Sequence, residues 1–169
     1  MGVNSFGYNV LLLLHIVSII VGFGGVILNG VYAAKAQQLP PEQNLAVMEV
    51  NGFVSMKVAE IFIYLAPVWG FGLVGMSDKT YTFGQTWVWL SLVIYVLSLG
   101  LSHGGLMPRA KRMLETQRDM VANPPAGPDD ARIAMLQASG KQIGAMSMVL
   151  NLSLVVMIVL MIWKPGYAA

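Results

Sequence analysis

The sequence contains no cysteine and little charge. Of its 169 residues, 11% are charged and 56% are hydrophobic, and the mean hydropathy is +0.67. The absence of cysteine excludes disulfides, thiolate metal sites and thiol redox chemistry. A water-soluble domain needs more polar surface than this composition provides. The composition therefore predicts an integral membrane protein whose surface is covered in large part by lipid.

Motifs of soluble enzymes are also absent. The sequence has no phosphate loop, nucleophile elbow, HExxH motif or Rossmann glycine fingerprint. No Lys or Arg precedes the first apolar run, so we expect that run to be a retained span and not a cleaved signal peptide. The net charge of +2 does not indicate nucleic-acid binding, because basic residues of membrane proteins gather on the cytoplasmic face.

Four apolar runs are long enough to cross a bilayer, which takes about 20 residues for a hydrocarbon layer of roughly 30 Å. Within lipid every backbone polar group must be satisfied internally. We therefore predict an all-α fold, a four-transmembrane-helix bundle that forms one domain over residues 1–169. The predicted spans are residues 8–32, 57–76, 86–107 and 142–163, with a cytoplasmic loop at 108–141.

Prolines and acidic residues mark where helices begin or bend. The prolines of NPPAGPDD interrupt the long loop, and Asp129 or Asp130 is suited to cap the helix that follows. Pro40 and Pro41 are expected to open the helix that becomes the second span. Pro67 should bend that span, because a proline removes a hydrogen bond inside a helix.

Basic residues predict the orientation. Lys79 and Lys164 lie on the side of the termini. The side of the two longer loops carries Lys35, Lys57, Arg109, Lys111, Arg112, Arg118, Arg132 and Lys141. Because cytoplasmic loops retain Lys and Arg, we predict a multi-pass protein of the bacterial inner (plasma) membrane with both termini on the outer side.

A polar stripe follows one face of the first span. It consists of His15, Ser18, Gly22, Gly25 and Asn29, which recur at three- and four-residue intervals. Ser18 and Gly22 form a small-xxx-small pair that allows close helix packing. His15 lies roughly 10 Å below the outer surface. A neutral imidazole there can bind haem iron, pass protons or donate a hydrogen bond to another helix.

A second group of polar residues is expected near the inner ends of the spans. We predict an intramembrane cluster of Asn29, Lys57, Glu60 and His103. A pair of Glu60 with His103 or with Lys57 would neutralise the buried charge. Alternatively, Lys57 extends into water and Glu60 caps the stack. His15 is roughly 15 Å from His103 along the membrane normal, so the two cannot share one iron. The sequence identifies no catalytic residue, and we assign no metal site to the residues of this cluster.

Three stretches carry a family resemblance: LLLLHIVSIIVGFGGVIL, WVWLSLVIYVLSLGLSHGGLMPRAKRM and VLNLSLVVMIVLMIWKPG. Together they resemble an uncharacterised bacterial family of four-helix integral membrane proteins, catalogued as a domain of unknown function. They are more distantly similar to the copper-resistance D domain and to the haem-containing membrane protoporphyrinogen oxidase family. The resemblance covers nearly the whole chain.

The oxidase resemblance implies a haem ligand. In that family the histidine of an LHI pattern binds haem, and His15 matches it, so the implied cofactor is haem b. Other matching positions are His103, Asn151, Lys164 and Pro165. The family's lysine near the start of the third span falls at about Ser91. The resemblance therefore implies a shared scaffold and one haem ligand, and it does not imply the oxidase activity.

Three classes of function remain open. The first is a haem-binding redox protein that uses His15; if the protein is an enzyme, it is a membrane haem-dependent oxidoreductase. The second is an accessory structural subunit of a membrane complex. The third is a small ion or metal transporter that uses the polar cluster. The expected partners are the lipid bilayer and either a second copy or a membrane-complex subunit, with no nucleic acid.

Overall fold

The computed structural model describes residues 2–167, and this range contains helices and no strand. The α-helices are α1 (Phe6–Ile27), α2 (Asn29–Ala36), α3 (Pro41–Phe53), α4 (Glu60–Met76), α5 (Thr86–Leu101), α6 (Met107–Ala122) and α7 (Ala131–Trp163). A first π-helical segment, Val54–Ala59, joins α3 to α4. A second, Ser102–Leu106, joins α5 to α6.

These elements merge into four long helical rods, each long and apolar enough to cross a membrane. The rods are Phe6–Ala36, Pro41–Met76, Thr86–Ala122 and Ala131–Trp163. The prediction of an all-α fold with four transmembrane helices is thereby confirmed. The rods extend beyond the predicted spans because the helices continue into polar sequence at the end of the molecule that carries α2, α3 and α6, here called the loop end. The opposite end, with both termini and the 77–85 turn, is the terminal end.

The segment 108–141, which the sequence places in a loop, is helical except between Ala122 and Ala131. Its helices are held by contacts that charge patterning alone does not reveal. α6 packs against α3 and α7, and the Arg118 guanidinium donates to the Glu49 carboxylate at 2.7 Å. A charged segment with such partners forms helix where the sequence suggested a solvated loop.

Asp130 begins α7, as one of the two caps predicted. Its carboxylate accepts from the Arg132 backbone N–H at 2.9 Å, and the Arg132 guanidinium lies 2.7 Å from Asp130 and 2.6 Å from Asp119. Hydrogen bonds from Arg132 lower the pKa of Asp130 to about 2 and hold the pKa of Asp119 below its ordinary value. Both carboxylates therefore stay ionised at neutral pH and tie the end of α6 to the start of α7.

Ser77 organises the turn between α4 and α5. Its buried hydroxyl lies 2.8 Å from the Val74 carbonyl oxygen and 3.0 Å from that of Tyr81. The same oxygen accepts the Tyr81 backbone N–H at 3.0 Å. Asp78 and Lys79 adopt φ values of 54° and 65°, in the left-handed region that tight turns use. This tight turn connects the second rod to the third.

The four rods pack as two antiparallel pairs, α1 along α4 and α5 along α7. In the first pair the small-residue stripe lies against α4. A Cβ on Gly22 would lie 3.0 Å from the backbone nitrogen of Ile63, and Ser18 is buried. Glycine therefore allows the two backbones to approach closely.

The gap between the pairs holds two cavities. A terminal-end cavity has a volume of about 460 Å³, and a loop-end cavity has about 630 Å³. Phe23, Tyr95 and Met157 line both. The outer surface is apolar, as a lipid environment requires. Side chains exposed on it include Leu13, Ile20, Val96, Leu97, Leu152 and Ile162.

Candidate functional site

Pro67 lies inside α4, and the helix continues through it. Because proline has no N–H, the carbonyl oxygen of Ile63, four residues earlier, loses its helical donor. The hydroxyl of Tyr95 on α5 donates to that oxygen at 3.1 Å. The proline thus creates a polar acceptor in the middle of the membrane domain, and a residue of the other helix pair satisfies it. The sequence predicts only that Pro67 bends the helix.

One turn further along α4, His15 contacts a second carbonyl group. Its Nδ1 lies 2.7 Å from the carbonyl oxygen of Ala66. A Cβ on Gly70 would lie 3.4 Å from Cε1 of the ring, so this glycine leaves room for the imidazole to lie against the helix. A carbonyl oxygen only accepts, so Nδ1 is assigned the hydrogen. In the neutral ring the free lone pair then belongs to Nε2.

Nε2 of His15, in contrast, is left without a polar contact in the described chain. Within residues 2–167 it has no hydrogen-bond partner, and neighbouring atoms do not seal it off. His15 lines the terminal-end cavity, whose other walls are almost entirely apolar. These walls include Leu12, Phe23, Phe71, Val88, Met157 and Ile162. The site therefore offers one unprotonated imidazole nitrogen in an apolar cavity.

Lys164 places a positive charge at the outer limit of this cavity. Residue 164 ends α7 with φ 45°, and its Nζ donates to the Tyr81 hydroxyl at 2.7 Å. The ammonium also lies 4.5 Å from the Tyr81 ring centroid and 5.8 Å from that of Trp87. The aromatic faces orient the cation without neutralising it. The cavity is thus apolar inside and cationic at its rim.

Glu60 and His103 line the loop-end cavity, and Tyr64 contacts both of them. The Tyr64 hydroxyl lies 3.0 Å from Glu60 Oε1 and 2.6 Å from His103 Nε2. His103 Nε2 lies 3.1 Å from the same Glu60 oxygen. His103 Nδ1 lies 3.0 Å from the Leu99 carbonyl oxygen, which fixes one ring hydrogen on Nδ1. Three polar side chains from two rods therefore form one closed cluster, here called the Glu–Tyr–His cluster.

Both π-helical segments adjoin this cluster. Glu60 directly follows Val54–Ala59, and His103 lies inside Ser102–Leu106. A π-helical turn inserts one residue into an α-helix and is frequent at functional sites. Pro108, just after the second segment, offers a sequence signal for it because a proline disrupts the preceding turn. We found no sequence signal for the first segment.

The two other residues of the predicted polar cluster, Asn29 and Lys57, make no hydrogen bond to Glu60 or His103 in the part of the chain that the structure describes, although Asn29 lines the same cavity. Asn29 accepts a hydrogen bond from the Ser55 hydroxyl at 2.9 Å. Lys57 is exposed, and in the described chain it makes no hydrogen bond or ion pair with Glu60 or His103. The structure brings Glu60 and His103 together, and it leaves Asn29 and Lys57 outside their contact. Tyr64 and Ser55 were missing from the predicted cluster, although Tyr64 follows Glu60 at the i+4 spacing that places two side chains on one helix face.

Two further positions named with the resemblance are Ser91 and Asn151. Ser91 donates to the Trp87 carbonyl oxygen of its own helix at 2.6 Å and supplies no charge to the terminal-end cavity. Asn151 lines the loop-end cavity. Met157 is buried between the two cavities. Across residues 2–167, no group of three or more His, Asp or Glu side chains is arranged to hold a metal ion.

The fold and its polar sites define a small four-span integral membrane protein with two internal cavities. The family described as predicted integral membrane protein (DUF2269) matches residues 9–165, and the chain belongs to this family. The main resemblance seen in the sequence is confirmed. No curated protein and no solved structure matches. The more distant similarity to the copper-resistance D domain and to the protoporphyrinogen oxidase family is not borne out.

The contact between Tyr95 and the proline-freed carbonyl predicts an energetic coupling. Tyr95→Phe should destabilise the protein by about 0.6 kcal/mol, a typical value for an interhelical hydrogen bond in a membrane protein. In a Pro67→Ala background the loss should nearly vanish, because the new N–H at position 67 can satisfy the Ile63 carbonyl. Unfolding in mixed detergent micelles measures all four proteins of the cycle. Tyr32→Phe, on the exposed side of α2, is the matched control. An equal loss in both backgrounds would contradict the coupling.

Proposed function

We propose that this protein binds haem in its terminal-end cavity through Nε2 of His15 and acts as a membrane redox protein. The observation that carries the proposal is the contact between His15 Nδ1 and the Ala66 carbonyl oxygen at 2.7 Å. That contact leaves the free lone pair on Nε2, and His15 lines the cavity. Bound haem would supply iron for one-electron chemistry.

The donor set suits an axial ligand. A metal-ligating histidine commonly donates its other N–H to a carbonyl or carboxylate, which fixes the tautomer and the ring orientation. Here the Ala66 carbonyl provides that acceptor, and Gly70 leaves space beside the ring. Both residues are therefore positioning residues for His15. A single available imidazole favours haem with one protein ligand from this chain.

The cavity also suits an amphipathic ring. Its volume of about 460 Å³ falls within the roughly 300–1,000 Å³ typical of small-molecule sites. Its walls around His15 are almost entirely apolar. The ammonium of Lys164 at the rim is placed to neutralise an acidic group of the ligand, and haem carries two carboxylates. Because Ser91 provides no charge in this cavity, protoporphyrinogen oxidation is not part of the proposal.

We further propose a location in the bacterial inner (plasma) membrane with both termini outside. The support is the charge distribution, because α6 and the start of α7 carry most of the basic residues at the loop end.

Because the chain has no cysteine, cysteine labelling tests the orientation directly. A single cysteine at Lys79 should react with an impermeant maleimide in intact cells, and one at Arg118 only after permeabilisation. The reverse labelling pattern would overturn the orientation.

The haem proposal is tested by the visible spectrum of the protein, purified in mild detergent after expression with sufficient haem supply. We expect a Soret band corresponding to about one haem per chain, as for a site with one axial histidine. His15→Ala should reduce the band at least about tenfold, because the cavity walls and Lys164 alone would retain haem poorly without the axial ligand. His15→Gly with added imidazole should recover it, since the free ring can occupy the vacated space.

His103→Ala is the matched control, because it removes the other histidine and leaves the terminal-end cavity intact. It should retain the wild-type Soret band. A colourless wild-type protein with normal helical circular dichroism would overturn the haem proposal and favour an accessory subunit or a transporter. A band that persists in His15→Ala would show that His15 is not the ligand.

A further inference from the structure

The Glu–Tyr–His cluster contains too few hydrogens for its short contacts if its members are in their ordinary neutral-pH forms. The three meeting atoms are Glu60 Oε1, Tyr64 Oη and His103 Nε2, separated by 2.6–3.1 Å. With an ionised carboxylate and a neutral imidazole, the Tyr64 hydroxyl supplies the only hydrogen among them. The Leu99 carbonyl holds the ring hydrogen on Nδ1, so Nε2 is bare.

One hydrogen cannot satisfy three contacts. If Tyr64 donates to His103, the Glu60 oxygen faces two acceptors. If Tyr64 donates to Glu60, the bare Nε2 faces two oxygens. One additional proton removes this conflict. Nε2–H then donates to the Tyr64 hydroxyl oxygen at 2.6 Å and is shared with Glu60 Oε1 at 3.1 Å, while the Tyr64 hydroxyl donates to Glu60. The imidazolium and the carboxylate also neutralise each other, which lowers the cost of both charges within a membrane domain.

We propose that Glu60, Tyr64 and His103 form a proton-binding site that takes up one proton from the loop end. The step forms an N–H bond at His103 Nε2, and the proton comes from water in the loop-end cavity. Release breaks that bond and returns the proton to water. No oxidant or other co-reactant is needed. The assignment does not rest on haem binding, because His15 lies in the other cavity.

Access supports reversible uptake. The side chains of His103 and Glu60 are 39% and 25% exposed, so the pair is open to the loop-end cavity and is not sealed in a core. Both π-helical segments adjoin the pair, and such segments are frequent at functional sites. The cluster therefore combines close contacts with an opening to the loop-end cavity.

Few other ionisable groups surround the cluster. Tyr95 on α5 is the other titratable residue among those that line the cavity. On the first π-helical segment, Lys57 is exposed and lies one turn before Glu60. On α6, the Arg109 guanidinium donates to Gly105 and Gln142. The lining residues contributed by α1, α2 and α7 are neutral. No second carboxylate lines the cavity in the described part of the chain, so Glu60 is the counter-charge.

The test uses a His15→Gln protein, in which His103 is the single histidine. Histidine labelled with ¹⁵N is followed by NMR in lipid bilayers near pH 6.5, where a free imidazole populates both forms. Removing the carboxylate with Glu60→Gln should lower the ratio of doubly to singly protonated rings by about tenfold. Tyr64→Phe should lower it by about threefold, because one hydrogen bond to the charged pair is lost. In the parent protein the ratio should follow bulk pH reversibly.

Glu42→Gln is the matched control, since it removes a carboxylate at the start of α3 that has no hydrogen bond to the cluster. Its ratio should equal that of the parent. An unchanged ratio in Glu60→Gln, with the helical content preserved, would overturn the proposal. If Glu60→Gln fails to fold, Tyr64→Phe decides, and an unchanged ratio there would also overturn it. Because every protein in the series lacks His15, failure of the haem proposal leaves this test unaffected.

Discussion

The hydrogen bond from His15 to the Ala66 carbonyl oxygen is the contact on which the proposed chemistry of the terminal-end cavity depends. It joins α1 to α4 at the level of Pro67, where the backbone of α4 is least able to satisfy itself. An imidazole within a membrane domain needs a partner, and a carbonyl oxygen on a neighbouring helix provides one. The same bond decides which ring nitrogen is left free. A stabilising contact and a ligand position therefore come from one interaction.

Cavities lie between the α1–α4 pair and the α5–α7 pair, which are joined by the packing of α3 against α6 and by a few polar contacts. Tyr95 donates to Ile63 near the middle of the bundle, and Tyr64 meets His103 towards the loop end. At the terminal end, Lys164 donates to Tyr81. Apolar packing alone does not bring membrane helices together as it does in water, because lipid is equally apolar. The polar bridges therefore contribute specificity as well as stability, and they leave space between the pairs for ligands.

The sequence predicted the coarse architecture because long apolar runs have one physical interpretation in lipid. It also predicted Asp130 as one of two helix caps, since the proline-rich break before it ends any preceding helix. It did not predict α6, because the charged residues of this helix suggested solvent and their partners on α3 and α7 are distant in sequence. A partner such as Glu49 for Arg118 becomes visible only when the rods are placed side by side.

The polar sites, too, were predicted from the sequence only in part. Helical spacing placed His15, Ser18 and Gly22 on one face, and that face lies against α4. Depth arguments grouped four residues at the loop end, but depth does not give rotation about the helix axis. Lys57 accordingly lies outside the contact that Glu60 and His103 make. The acceptors for His15 and Tyr95 are backbone carbonyls, which side-chain patterns do not reveal.

The most direct test of the central claim is the tautomer of His15. In a His103→Gln protein, His15 is the single histidine, and ¹⁵N NMR in lipid bilayers without haem reports which ring nitrogen carries hydrogen. The spectrum is recorded near pH 8, where a free imidazole is neutral. The account predicts a protonated Nδ1 and a bare Nε2. A bare Nδ1 with hydrogen on Nε2 would contradict it, because the ring could then neither donate to Ala66 nor present a free lone pair to the cavity.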